Sequence, residues 1–121
     1  MSEEGKYAFS GLDRVIHERA RLGIMTALMA EPKGVLFPEL KELCQLTDGN
    51  LSRHLQVLEE AQLVTLAKRG SGRTKQTRVM LTETGKKQFL IYLDQLKEVV
   101  NDASSAARTA SKAQTYGLAS T

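Results

Sequence analysis

The sequence is poor in the residues that build disulfides, metal sites and stacking surfaces. Its 121 residues include one cysteine, two histidines, no tryptophan and few other aromatic residues. Cys44 alone excludes an internal disulfide, and with only His17 and His54 there is no Cys/His set at metal-ligand spacing. We therefore expect neither a bound metal nor a cofactor.

Long apolar runs are also missing. No stretch approaches the roughly 18 apolar residues of a membrane span. The chain starts with the acidic segment Met1–Glu4 rather than with basic residues followed by an apolar segment. These features predict a cytoplasmic protein without a membrane partner.

Charge is modest in total but segregated along the chain. A formal net charge of +3 and a pI near 9.1 permit nucleic-acid binding without demanding it. Between Val64 and Thr82, however, every charged residue is basic. These residues are Lys68, Arg69, Arg73, Lys75 and Arg78. We infer one positive side of the molecule, which an anionic partner would face.

The length supports one hydrophobic core. We divide the chain into a polar lead-in over residues 1–10, a single domain over residues 11–102 and a flexible, Ala/Ser/Thr-rich tail over residues 103–121. The apolar turn at Leu12–Ile16 predicts a short helix. A break near His17–Glu18 separates it from a longer helix that ends at Glu31–Gly34.

The segment after Gly34 predicts a short strand, a helix and a turn. We expect Val35 and Leu36 to add a strand to a small sheet. Pro38 suits the first turn of the helix, because its ring fixes φ and it lacks an N–H that this turn would leave unpaired. A polar turn follows over Thr47–Asn50, where Thr47 can cap the next helix.

The next helix has a buried face and an outward face. Leu51, Leu55 and Leu58 repeat at i, i+4 and i+7 and must face the core. No acid occurs on the outward half or its flanks, and all their side chains except Val57 are polar. The polar ones are Asn50, Ser52, Arg53, His54 and Gln56. Such a surface suits the major groove of duplex DNA.

Two short strand patterns then bracket a basic glycine loop. The patterns are Leu63–Ala67 and Thr77–Leu81, and the loop between them contains Gly70 and Gly72, which allow the φ values of a tight hairpin. Two helices followed by such a hairpin predict a winged helix-turn-helix, an α+β fold that is mainly α with a small β-hairpin wing.

The last helix, capped by Thr82 or Thr84, carries an apolar stripe that is wider than one neighbour can cover. Folding back on its own domain is one explanation of this stripe. We favour a dimer interface formed by the flanking N- and C-terminal helices. Its predicted residues are Leu12, Val15, Ile16, Phe89, Tyr92, Leu93, Leu96, Val99 and Val100.

Residues 12–100 resemble the small winged helix-turn-helix transcriptional regulators related to the MarR and ArsR families. The resemblance rests on Leu51–Val64 preceded by Phe37–Leu40, on the wing Lys68–Arg73, and on Val79–Gly85. One departure is Gln62, where the family usually has glycine. ArsR-type metal sensors often carry a cysteine pair near the supporting helix, and a single cysteine does not imply such a sensor.

The resemblance implies a sequence-specific regulator of double-stranded DNA, a repressor or less often an activator, that binds a palindromic operator as a homodimer. Arg53 and Asn50 would contact base edges, and Ser52, His54 and Gln56 would position or supplement them. The wing cations would contact phosphates or a minor groove. Whether a small molecule or a protein acts as effector is left open.

Other functions and roles remain alternatives. The same surface in a winged helix can bind a protein within a transcription complex, or RNA, although stacking aromatics are scarce. An enzyme is least favoured, because no catalytic constellation is evident. Each candidate residue also has a purely structural interpretation. Arg53 and the wing cations would then be solvated charges, His54 a packing residue, and Cys44 a small buried apolar residue rather than a redox switch.

Overall fold

Residues 5–115 form four α-helices and a three-stranded antiparallel sheet, which confirms the predicted α+β winged helix-turn-helix class. The computed structural model describes residues 5–115, and side chains through Lys112. The elements in chain order are α1 (Arg19–Ala30), β1 (Val35–Leu36), α2 (Phe37–Cys44), α3 (Asp48–Glu60), β2 (Val64–Arg69), a 3-10 turn (Gly72–Thr74), β3 (Gln76–Leu81) and α4 (Glu83–Thr115). The chain divides into two compact units, one being Asp13–Ile91 and the other combining the two chain ends, up to Leu12 and from Tyr92.

The segment before α1 is a turn rather than a helix. The Asp13 carboxylate accepts hydrogen bonds from the amides of Val15 and Ile16 at 2.9 and 3.0 Å, which satisfies these groups without helical pairing. The short helix predicted over Leu12–Ile16 is therefore wrong. The predicted break is confirmed, because Glu18 caps α1.

The apolar periodicity of α3 is confirmed by burial. Leu51, Leu55 and Leu58 are at most 1% exposed. Full burial of one such side chain is worth about 2 kcal/mol. These three leucines fix the inner face of α3, so its polar side chains are left on the outer face.

The turn between α2 and α3 lies earlier in the chain than the predicted Thr47–Asn50. α2 ends at Cys44, its C-cap Gln45 adopts a left-handed conformation with φ +51°, and α3 begins at Asp48. The Thr47 hydroxyl accepts a hydrogen bond from the Asn50 amide at 3.1 Å, so the predicted N-cap is confirmed. The turn is therefore Gln45–Thr47, and Asp48–Asn50 form the first turn of α3.

The sheet has one face toward the core and one away from it. Its strand order is β1-β3-β2, and Val35 of β1 pairs with Val79 of β3, which confirms the short strand predicted at Val35–Leu36. Val35, Val64 and Val79 are buried. Since side chains alternate along a strand, residues 65, 67, 69, 76, 78 and 80 lie on the other face.

The junction between α3, β2 and α4 is held by close backbone contacts. Thr82 donates its hydroxyl hydrogen to the Gln62 carbonyl at 2.7 Å and accepts from the Gly85 amide at 2.8 Å. A Cβ at Gly85 would lie 2.1 Å from the Leu63 carbonyl oxygen, so only glycine fits. Thr82 is thus the cap of α4, one of the two predicted candidates.

α4 is longer than the sequence pattern indicates. It continues to Thr115, so the flexible tail predicted from Ala103 is wrong over residues 103–115. The physical reason is that alanine has the highest intrinsic helix propensity, which favours a helix even where no apolar stripe marks one. The rest of the predicted tail lies outside the described residues.

Part of the predicted dimer interface is interior. Ile16, Phe89 and Tyr92 are at most 3% exposed within the single chain, so they are core residues and that part of the prediction is wrong. An apolar stripe on a helix indicates that its side chains are buried. It does not indicate whether they are buried by the same chain or by a second subunit. The other predicted residues keep some exposure. They are Leu12, Val15, Leu93, Leu96, Val99 and Val100.

Candidate nucleic-acid interface

The outer face of α3 presents polar side chains to solvent. Ser52, Arg53 and Gln56 are exposed, and Asn50 is half-buried. Arg53 donates a hydrogen bond from Nη2 to the Asn50 side-chain oxygen. The two side chains with the best chemistry for base edges therefore lie side by side, one helical turn apart, and Asn50 orients the guanidinium.

His54 differs from its neighbours on α3. Its side chain is only 17% exposed. Arg21 of α1 places Nη1 3.1 Å from His54 Nδ1. Because a guanidinium only donates, Nδ1 must be the acceptor and Nε2 must carry the ring proton. The structure thus joins this predicted site residue to α1.

Arg21 and Glu18 are contact residues that the sequence analysis missed. Arg21 Nε donates to the Val15 carbonyl at 2.6 Å, and Glu18 Oε1 accepts from the Arg21 amide at 2.8 Å and lies 3.9 Å from His54 Nδ1. The hydrogen bond from the Arg21 backbone amide is the main cause that lowers the pKa of Glu18, and the positive charge of Arg21 adds to it. Because Arg21 and His54 are 33 residues apart, no local pattern could reveal their contact.

A second polar contact joins α3 to α2. Lys41 Nζ lies 3.0 Å from Asp48 Oδ1, with 38% of the lysine side chain and 75% of the aspartate side chain exposed. Exposed ion pairs of this kind contribute at most about 1 kcal/mol. The ion pair joins α2 to α3 but contributes little to the free energy of unfolding.

The five predicted wing cations do not form one patch. Lys68 pairs with Thr77 across the hairpin, and Arg69 pairs with Gln76. By strand alternation Arg69 and Arg78 lie on the sheet face away from the core, whereas Lys68 is on the opposite side. Arg78 donates to the Lys33 carbonyl at 3.5 Å, so it bends toward β1.

Arg73 and Lys75 occupy the wing tip, where they are exposed. The tip begins at Gly70, whose φ is +78° and where a Cβ would lie 2.4 Å from the Thr74 carbonyl oxygen. Ser71 and Thr74 are hydrogen-bonded to each other through the Thr74 hydroxyl at 2.9 and 3.3 Å. The tip therefore has a defined backbone that presents two exposed cationic side chains.

Cys44 lies half-buried beside a cavity of about 630 Å³ between α1 and α2. Burial raises the pKa of its thiol. A raised pKa keeps the group protonated at neutral pH, and the protonated thiol is a weak nucleophile. This chemistry fits the interpretation of Cys44 as a small apolar residue better than a redox switch.

Residues 5–115 contain neither a metal-binding cluster nor a membrane-spanning helix. Within this range no three His, Cys, Asp or Glu side chains are grouped so that they could hold a metal ion. Over the same residues, none of the helices is long and apolar enough to cross a membrane.

Comparison with known proteins gives a consistent result. A family model described as a winged helix DNA-binding domain matches residues 20–100. A solved transcriptional regulator homologue from Pyrococcus horikoshii OT3 is 30% identical, with 85% of this chain and 98% of that chain covered and a TM-score of 0.69. A search of curated proteins finds no match.

Two more distant structures share the fold. The transcriptional repressor CouR, bound to a 23-mer DNA duplex, is 17% identical over 98% of this chain and 96% of that chain, with a TM-score of 0.63. A MarR-family transcriptional regulator from Silicibacter pomeroyi is 19% identical over 93% and 77%, with a TM-score of 0.56.

Proposed function

Because this chain belongs to the winged helix DNA-binding domain family and is a DNA-binding transcriptional regulator of MarR-like fold, we propose that it represses transcription in the cytoplasm as a homodimer on a palindromic operator. The observation that carries the proposal is the outer face of α3, where Arg53 is hydrogen-bonded to Asn50. The inner face of the same helix carries three buried leucines. Repression is supported by the likeness to CouR, which is a repressor bound to DNA.

Sequence readout would come from α3 in the major groove. The guanidinium of Arg53 can donate two hydrogen bonds to guanine, and the carboxamide of Asn50 can pair with adenine. Ser52 and Gln56 are exposed on the same helix and would supplement these contacts. The Asn50–Arg53 hydrogen bond would hold the guanidinium in place before DNA arrives.

Affinity would come mainly from the wing. Arg73 and Lys75 at the tip would contact phosphates, and Lys68, Arg69 and Arg78 on the strands would add to the positive potential. Each phosphate contact releases counterions, so binding should weaken steeply as salt rises.

Dimerisation would use the exposed apolar side of α4. Leu93, Leu96 and Val100 line a shallow cavity of about 360 Å³ on this helix, and Val100 is 56% exposed. A two-fold dimer built on this surface would place its recognition helices at half-sites about 10 base pairs apart. A Leu96→Glu variant should then be monomeric by light scattering, whereas Leu43→Glu on the exposed side of α2 should not change the oligomeric state.

The deciding experiment is selection from random-sequence duplex DNA at two salt concentrations, followed by sequencing of the retained molecules. Enrichment of a palindromic site would support a dimeric, sequence-specific regulator and give its operator. Retention without enrichment would contradict sequence-specific binding. Failure to retain DNA even at low salt would favour a protein-interaction role for the same surface.

Two arginine variants would separate readout from affinity. Arg53→Ala should lose about 1–3 kcal/mol of preference for the selected site. Arg73→Ala should weaken binding to all duplexes alike and reduce the salt slope by about 1. Equal loss of preference in both variants would contradict this assignment. Affinity measured on the selected site and on a scrambled duplex provides both quantities.

A further inference from the structure

A polar cluster joins α1 to the recognition helix. It consists of Glu18 and Arg21 on α1 and His54 on α3, with Arg21 Nη1 3.1 Å from His54 Nδ1. We propose that Arg21 is a positioning residue, which fixes the recognition helix through His54 and thereby sets the operator preference of the protein. This inference rests on the proposed function, because it concerns how α3 meets its operator.

The Arg21 guanidinium bridges two segments through bonds in fixed directions. Nε donates to the Val15 carbonyl at 2.6 Å, while Nη1 reaches His54. Because the guanidinium is planar and rigid, these two bonds together limit where the His54 ring can lie. Glu18 fixes the backbone from which this side chain extends, since its carboxylate accepts a hydrogen bond from the Arg21 backbone amide at 2.8 Å.

The Arg21 bridge resists rotation of α3, which the buried leucines of this helix resist only weakly. Apolar contacts are non-directional, so Leu51, Leu55 and Leu58 resist removal of the helix more than a small rotation of it. A hydrogen bond loses strength when its angle changes and therefore resists rotation. His54 is adjacent to Arg53 in the chain, so a rotation that breaks the bridge also displaces the Arg53 guanidinium from its base.

The burial of His54 supports a role in positioning. Its side chain is 17% exposed, and its Nδ1 is already used as an acceptor for Arg21. Lys41 of α2 and Asp48 of α3 form a second polar contact between α3 and a neighbouring helix, but their side chains are 38% and 75% exposed. The Lys41 contact is therefore a suitable control, because it also joins α3 to a neighbouring helix but has water available to both partners.

The test uses four single variants of the full chain. Arg21→Met keeps the length of the side chain but removes the donors, and His54→Leu removes the acceptor. His54→Asn keeps an acceptor near the position of Nδ1, and Lys41→Met breaks only the control contact. The readout is the ratio of affinities for the selected operator and for a scrambled duplex, with thermal unfolding measured for each variant.

Arg21→Met and His54→Leu should lower this ratio about tenfold and leave binding to the scrambled duplex unchanged. His54→Asn and Lys41→Met should stay within about twofold of the parent protein. The double variant Arg21→Met/His54→Leu should be no worse than either single variant, because both remove the same interaction. If His54→Asn fails as badly as His54→Leu, the ring itself contacts DNA and the proposal is overturned.

A second measurement needs no operator. Nitrogen-15 NMR of the His54 ring should show Nδ1 as an unprotonated, hydrogen-bonded nitrogen in the parent protein, and its chemical shift should change when Arg21→Met removes the donor. An unchanged Nδ1 shift in that variant would overturn the bridge even if DNA selection succeeds. If selection enriches no site while the Nδ1 shift changes, the proposed function fails and the specificity role of Arg21 fails with it, although the bridge itself is established.

Discussion

The recognition helix and the wing are held in place in opposite ways. α3 has three buried leucines, a threonine cap and polar ties to α1 and α2. The wing tip is exposed throughout, and its shape depends on the backbone at Gly70 and on hydrogen bonds between Ser71 and Thr74. The contrast matches two tasks: base contacts require fixed donor positions, whereas phosphate contacts require charge that can adjust to the duplex.

The largest expected effect comes from removing the packing under α3. Leu55→Ala should lower the free energy of unfolding by about 2–5 kcal/mol, because it leaves a cavity at a residue that is 1% exposed. Leu43→Ala, at a residue that is 65% exposed, should change it by less than about 0.5 kcal/mol. Chemical denaturation measures both, and a small loss for Leu55→Ala would mean that packing does not hold the helix.

The wing can be disturbed without disturbing α3. Gly70→Ala places a Cβ 2.4 Å from the Thr74 carbonyl oxygen at a φ of +78°, which should cost about 1–3 kcal/mol locally. We expect weaker binding to all duplexes and an unchanged preference for the operator. In Gly49→Ala on α3, the added Cβ would have no atom within 4 Å outside its own helix backbone. This variant should raise the free energy of unfolding by up to about 1 kcal/mol, because alanine has a higher helix propensity than glycine. Loss of preference in Gly70→Ala would show that the wing also selects sequence.

The junction between the two regions contains a residue in an unfavourable conformation. Gln62 has a φ of +65°, and Gln62→Gly should stabilise the protein by about 1 kcal/mol because glycine adopts this φ without a steric cost. The hydrogen bond from Thr82 is kept, since it goes to the backbone carbonyl. Gln45→Gly, at φ +51°, should act in the same direction. Thermal unfolding measures both changes, and a destabilised Gln62→Gly would indicate that its side chain forms a needed contact.

The smallest expected effect concerns Glu18. Its lowered pKa means that its carboxylate stabilises the folded state at pH values above the ordinary glutamate pKa, about 4.3. That contribution is lost as the pH falls through the lower pKa of the folded state. Glu18→Gln should therefore cost up to about 0.5 kcal/mol at pH 7, since solvent screens a group that is 37% exposed, and the deficit should disappear in acid. Unfolding at several pH values tests this, and a deficit that persists in acid would exclude the charge as its cause.

Local signals in the sequence are sufficient for the paired helices and the wing strands. The leucine spacing predicts the buried face of α3, Thr47 predicts its cap, and Val35–Leu36 is predicted as a strand after the proline and glycine stop. Each of these features depends on residues within one or two turns of each other, where propensity and periodicity are informative.

Features that depend on distant contacts were missed or assigned wrongly. Arg21 meets His54 across 33 residues, and no sequence pattern links them. Phe89 and Tyr92 were expected at a dimer surface, but the same chain buries them. The part of α4 beyond Ala103 is not predicted for another reason. Its high alanine content is typical both of low-complexity segments and of helices, so composition alone does not distinguish them. The DNA contacts and the dimer interface remain predictions.

The exposed wing tip has a consequence for how the protein can diverge. Arg73 and Lys75 are outside the packed core, so replacing them should carry little cost in folding. On the proposed division of tasks, substitutions in this loop would change the overall occupancy of regulatory sites while the preferred sites stay the same. A change of preferred site would instead require substitutions on α3, where three leucines are buried and His54 is bonded to α1.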